Sequence, residues 1–124
     1  MNPLRAATTA YGAFRVAYGL GLFAAPEKVA KNWLGPDVAR GPTKVGARGL
    51  GFRDAVVSGG VVAAVNTGAP ARPWLAACAL GDLGDIVATL AVADELPKKA
   101  KWGTVAAAGS FAAMGVGLAL ALEH

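Results

Sequence analysis

Apolar and small residues dominate four stretches of the chain, Thr8 to Ala25, Thr43 to Asn66, Trp74 to Ala93 and Trp102 to Leu122. None carries the continuous polar stripe that a helix on the surface of a water-soluble domain needs. At about 1.5 Å of rise per residue, each is long enough to cross roughly 30 Å of hydrocarbon as a helix. Prolines and glycines punctuate the boundaries: Pro26 after the first stretch, Pro42 before the second, Gly68-Ala69-Pro70 and Pro73 between the second and third, and Pro97 after the third. The connections are short, so antiparallel neighbours in chain order are expected. The pattern predicts an all-α protein, a four-helix transmembrane bundle forming one domain over residues 1–121.

The first connection has a pattern of its own. Pro26-Glu27-Lys28-Val29-Ala30-Lys31-Asn32-Trp33-Leu34-Gly35 opens with a proline suited to a first helical turn and closes with a stop glycine. Val29, Ala30, Trp33 and Leu34 fall on one face, which predicts a short helix lying in the membrane interface with Lys28 and Lys31 toward water. Trp33, Trp74 and Trp102 stand at expected boundaries, as interfacial anchors do.

Composition removes the soluble alternative. The 124 residues are 55% apolar and 16% charged, with a mean hydropathy of +0.46, far from the balance of a soluble domain. The formal net charge of +4 does not point to nucleic acid, because the basic residues flank the apolar stretches and form no face interleaved with aromatics. Lys28, Lys31, Arg40, Lys44, Lys98, Lys99 and Lys101 fall in the first and third connections, against Arg5 and Arg72 on the other side. That asymmetry predicts a multi-pass protein of the cytoplasmic membrane with both chain ends outside.

The apolar stretch after Met1-Asn2-Pro3-Leu4-Arg5 contains Arg15, which argues for a retained first helix rather than a cleaved signal. Leu122-Glu123-His124 reads as a tag remnant, residues 122–124, so the single histidine is set aside. Without histidine, and with the lone Cys78 inside an apolar stretch, no metal or haem site and no intrachain disulfide are expected, and no cofactor is implied. Small residues such as Gly12 and Gly19, Gly81 and Gly84, or Gly109 and Gly117 mark surfaces for close helix approach, within one chain and in a homo-oligomer.

What changes the picture is charge inside the spans. Arg15 lies in the first, Arg48, Arg53 and Asp54 in the second, and Asp82 and Asp85 in the third. Each such group near a helix centre costs about 2.5 to 3.5 kcal/mol, so pairing within the bundle is the physical way out. Asp82 and Asp85 are three residues apart and share a face, and two carboxylates facing one guanidinium, Arg53 or Arg15, is the expected arrangement. Arg48 is close enough to its helix start to reach the interface. Tyr11 and Tyr18 flank Arg15 one turn away on either side and are candidates to line a cavity or bond to the cluster. Asn66, Thr89 and Ser110 are isolated polar residues expected to bond backbone carbonyls.

The arginine of the first helix, Pro26 and Trp33 after it, Arg48-Gly49-Leu50-Gly51-Phe52-Arg53-Asp54 and Gly81-Asp82-Leu83-Gly84-Asp85 together resemble small four-helix bacterial integral membrane proteins grouped loosely with the DoxX-like families. The resemblance covers nearly the whole chain and implies a four-helix membrane fold of unassigned activity. Some DoxX-like proteins are associated with quinone-linked oxidoreductase complexes, yet this chain matches no redox centre.

Three functions remain open at this point. The charges form a network that fixes helix register; or Arg15, Arg48, Arg53, Asp54, Asp82, Asp85, Tyr11 and Tyr18 bind a polar or lipophilic ligand or relay protons. The third is an acid/base enzyme of isomerase or epoxide-opening type acting on a lipophilic substrate, with Asp82 and Asp85 as acid and base, Arg53 holding them and Asp54 orienting Arg53. Because four helices enclose little volume, a conduction path is expected to need an oligomer.

Overall fold

The computed structural model describes residues 2–91 and 98–122; the side chains of Asn32, Trp33, Asp37 and residues 98–101 lie outside that description. Helix is the dominant state among the described residues, and no strand occurs among them. The helices run Pro3–Ala24 (α1), Pro26–Leu34 (α2), Gly41–Thr67 (α3), Arg72–Ala91 (α4) and Lys98–Ala121 (α5), with a 3₁₀ turn at Gly35–Ala39 between α2 and α3. The end of the third expected stretch at Ala93, Pro97 and the Glu123-His124 remnant fall outside the described residues.

Local chemistry sets the ends. Asn2 caps α1, its side-chain oxygen accepting from the Leu4 amide at 2.8 Å, and Pro3 follows it at a helix start where a missing N–H costs nothing. This cap begins α1 five residues before the expected Thr8, since the polar Arg5 is tolerated at a helix end. The expected short helix is present as α2, started by Pro26 and ended at Gly35, whose φ of 68° suits a residue without a Cβ. Gly68, at φ 77° and ψ 5°, ends α3 in the left-handed helical region.

Two of the helices, Arg72–Ala91 and the Trp102–Ala121 portion of α5, are long and apolar enough to cross a membrane. Charges within α1 and α3 lower their hydropathy, although both have comparable length.

The packing unit is an antiparallel pair. On α1 the stripe Gly12, Arg15, Gly19 and on α3 the stripe Gly51, Asp54, Ser58 have the same spacing and run in opposite directions. Gly12 therefore meets Ser58, Arg15 meets Asp54 and Gly19 meets Gly51. A Cβ on Gly19 would lie 2.5 Å from the Gly51 carbonyl oxygen, and one on Gly12 3.1 Å from the Ser58 carbonyl oxygen. Backbones this close gain dispersion contacts that larger side chains would prevent. At the far end of the pair Arg5 Nε donates to Asn66 Oδ1 at 3.0 Å, and Asn66 Nδ2 donates to Thr9 Oγ1 and to the Val62 carbonyl. α4 and α5 form the second antiparallel pair, tied where Arg72 Nε donates to the Ala119 carbonyl at 2.6 Å.

Two apolar clusters lie at opposite ends. Tyr11, Val61, Ala64, Ala71, Leu75 and Cys78 pack with Val57, Val65, Phe111 and Leu118 toward the α1 start. Leu22, Ala30, Val38 and Ala47 pack with Val29, Leu34 and Leu50 beside α2. Trp74 is more than a boundary residue, because its ring lies directly against Gly60 of α3.

Beside the apolar clusters, large apolar side chains are exposed and several polar ones are buried. Leu120 is 72% exposed, Leu80 69% and Val87 68%, whereas Thr8, Arg15, Ser58, Asp82 and Thr89 are buried.

Candidate functional site

At the midpoint of α3, about 20 Å from either end at the helical rise, Arg53 and Asp54 meet charges from two other helices. Arg15 of α1, 7% exposed, donates from Nη1 and Nη2 to the two oxygens of Asp82 on α4, each at 3.0 Å. Its Nε donates to Ser58 Oγ at 3.2 Å. The guanidinium plane is covered by Tyr11 and Phe111, whose ring centroids lie 5.5 and 5.4 Å from Arg15 Cζ. A bidentate pair is the strongest geometry open to these groups, and the two rings add cation–π attraction where water is excluded.

The other two carboxylates are held more loosely. Asp54 Oδ1 is 4.0 Å from Arg15 Nη2 and 3.8 Å from Arg53 Nη2, and Asp85 Oδ1 is 3.7 Å from the same Arg53 nitrogen. Arg53 itself is half exposed. The expectation that carboxylates share a guanidinium is met twice over: Arg15 joins Asp82 and Asp54, and Arg53 joins Asp54 and Asp85.

Other sequence candidates divide. Tyr11 is buried beneath Arg15 and donates its hydroxyl to the Phe111 carbonyl at 3.4 Å, into space left by Gly115. Tyr18 lines the cavity described below. Arg48 is not part of the network; it is exposed, and its Nε donates to the Phe23 carbonyl at 3.2 Å, as a flexible side chain about two turns from a helix start can do. Ser110 bonds the Ala106 carbonyl, as expected of an isolated hydroxyl.

Above the ion pairs, on the α2 side, lies a cavity of about 910 Å³. Phe14, Leu50, Val29, Ala107, Ala108 and Phe111 supply apolar wall, and Arg15, Tyr18, Asp54, Asp82 and Asp85 form its polar end. Lys31, Gly35 and Pro36 bring α2 and the 3₁₀ turn to its mouth. Phe14 stacks on Phe111 at 5.5 Å and closes the α1/α5 side. The cavity is open on one side: α1 is drawn tightly to α3, while small residues on α5, Gly103, Ala107 and Ala108, leave room opposite. A smaller groove of about 390 Å³ between α3 and α4 reaches Arg15, Arg53 and Asp54 from the other face.

Sequence reasoning did not single out Ser58, which fixes the Arg15 side chain, or α2 as part of a cavity wall. Ser58 had a signal, since it continues the Gly51, Asp54 stripe at heptad spacing. The role of α2 had none, because it depends on how the connection folds back.

At the α2 end Lys44 pairs with Glu27, and the ammonium holds the Glu27 carboxyl below its ordinary value. Compared with protein-family models, curated proteins and solved structures, the chain matches none.

Proposed function

We propose that this is a multi-pass protein of the cytoplasmic membrane, a four-helix transmembrane bundle in which α1, α3, α4 and α5 span the bilayer and α2 lies at the cytoplasmic interface. Its function is to bind a lipophilic molecule that carries a polar end, with the tail in the apolar cavity and the polar end on the Arg15, Asp54, Asp82 and Asp85 layer. The observation that carries this is the cavity of about 910 Å³ ending on charged side chains at mid-helix depth. Small-molecule sites of about 300 to 1,000 Å³ combine apolar walls with a few polar groups in this way, and ionisable residues within a span mark functional sites by default. The exposed apolar side chains and the buried ion pairs support the membrane assignment of α1 and α3, whose charges point inward toward one another. The basic α2 side supports an orientation with both chain ends outside.

The cavity is built by one chain, so binding does not depend on a homo-oligomer. Filling it with Ala108→Trp should abolish retention of lipophilic molecules by the protein extracted from membranes, as read by native mass spectrometry, while the thermal midpoint stays near that of the parent. Equal retention by both proteins, or purification as a stable monomer without amphiphile, would overturn the proposal.

An acid/base enzyme on a lipophilic substrate is the second reading, favoured by one observation. Asp82 is locked to Arg15, whereas Asp85 faces the cavity without a hydrogen bond among the described residues. Two carboxylates in such different settings suit opposite roles in proton transfer, with Arg53 and Asp54 positioning Asp85. Turnover of an epoxide or isomerisable lipophile that Asp85→Asn eliminates would establish it, and turnover indifferent to that change would remove it.

A further inference from the structure

The polar end of the cavity is not neutral in what it offers. Arg15 in the lining and Arg53 behind it contribute two positive charges and Asp54, Asp82 and Asp85 three negative ones, leaving one negative charge in excess. Hydrogen-bonding capacity is more lopsided than charge. Arg15 already directs Nε to Ser58 and both terminal nitrogens to Asp82, and its plane lies against Tyr11 and Phe111. Three of its five N–H groups are committed in this way, and the Nη2 side of what remains faces Asp54. The Asp54 and Asp85 carboxylates, by contrast, approach their cations only at 3.7 to 4.0 Å, beyond direct hydrogen-bond reach, and both line the cavity. Tyr18 and Thr104 also line it, with hydroxyls that can accept. The site therefore presents acceptors and an excess negative charge at the end of an apolar chamber.

We infer that the ligand bound at this site is an amphiphile with a protonated amine, its ammonium held between Asp54 and Asp85 and its hydrocarbon tail directed toward Leu50, Val29 and α2. This rests on the binding function proposed above and adds the chemistry of the headgroup. A carboxylate or phosphate would find only the two uncommitted Arg15 N–H groups and would face three carboxylates around them. An ammonium instead satisfies carboxylates whose partners are remote, and its hydrogen bonds to them are charge-assisted. Lys31 at the mouth is exposed and lies on α2, away from the mid-depth carboxylates, where it is solvated.

The amine has two sources, a free lipophilic amine or a membrane lipid with an amine headgroup, and the test separates them. The full chain, delipidated in a neutral maltoside, is titrated with dodecylamine, dodecanol and dodecanoate while the thermal midpoint is followed. Dodecylamine should raise the midpoint and bind about tenfold or more tightly than dodecanol, from charge-assisted bonding, and dodecanoate should not raise it. Asp85→Asn and, separately, Asp54→Asn should bring amine and alcohol within about twofold of each other, with each variant's own unfolding transition reporting that it is folded. Preferential retention of phosphatidylethanolamine over phosphatidylcholine from mixed nanodiscs assigns the amine to a lipid; retention of neither, with dodecylamine still preferred, assigns it to a free amine. Dodecanoate binding as well as dodecylamine overturns the headgroup and leaves the cavity function standing. Failure of all three tails to bind overturns both.

Discussion

The half of the molecule toward the α1 start is solid, and the half toward α2 is hollow, with the Arg15, Asp54 and Asp82 layer at the boundary. In the solid half Tyr11, Val61, Leu75, Phe111 and Leu118 fill the space between the two antiparallel pairs, and Trp74 closes onto Gly60. In the hollow half the same four helices face one another with Gly103, Ala107 and Ala108 on α5, and α2 supplies cover from the end instead of filling from within. The difference teaches that the charged layer has two neighbours of different kinds. Apolar packing beneath covers the Arg15 pair from one side, and the cavity above is lined by Asp54 and Asp85.

Removing one partner at the boundary should give the largest effect. Asp82→Ala strands Arg15 in a buried setting and should cost about 3–5 kcal/mol, measured as thermal or chemical unfolding in detergent. The double replacement Arg15→Met with Asp82→Leu should recover most of that loss; failure to recover it would mean that the pair does more than compensate for its own burial. Next, Gly19→Val drives a side chain into the α3 backbone at Gly51 and should cost about 1–3 kcal/mol or more, read in the same way.

A matched pair tests the contrast itself. Ala64→Leu, in the solid half, should destabilise by about 1–3 kcal/mol through overpacking. Ala108→Leu, in the cavity wall, should change stability by no more than about 0.5 kcal/mol. Equal costs for the two would erase the distinction between the halves.

The smallest effect belongs to the α2 end and is a matter of pH. Lys44 lowers the Glu27 carboxyl in the folded protein. The unfolded chain thus binds a proton at higher pH than the folded one. The stabilisation is fully present above the ordinary carboxylate value of about 4.3 and disappears as pH falls through the lowered folded-state value. Lys44→Met should flatten the acid side of an unfolding-midpoint profile taken between about pH 6 and about pH 3, with little change at neutral pH.

Much of this was legible along the chain because it depends on local regularities. Hydropathy and prolines announced the long helices and the short α2, and glycine marked the ends at Gly35 and Gly68. Charges within apolar stretches announced Arg15, Arg53, Asp54, Asp82 and Asp85, since desolvated charge must find a partner whichever fold provides it. Spacing also placed Asp82 and Asp85 on one face.

Which partner each charge takes was decided by tertiary structure. The mirrored stripes Gly12, Arg15, Gly19 and Gly51, Asp54, Ser58 fix the register of α1 on α3, and only that register brings Ser58 to Arg15 Nε and leaves Arg53 to bridge Asp54 and Asp85. Arg48 and Arg53 lie five residues apart on one helix, and the sequence distinguished them only by the nearness of Arg48 to the helix start. They separate because one lies within reach of the Phe23 carbonyl at the helix end and the other faces α4. The cavity belongs wholly to the three-dimensional arrangement. Sequence determines how much apolar side chain is available, whereas space is left by the mismatch between surfaces that approach at different distances, close where α1 meets α3 and wide where α5 faces the charged layer.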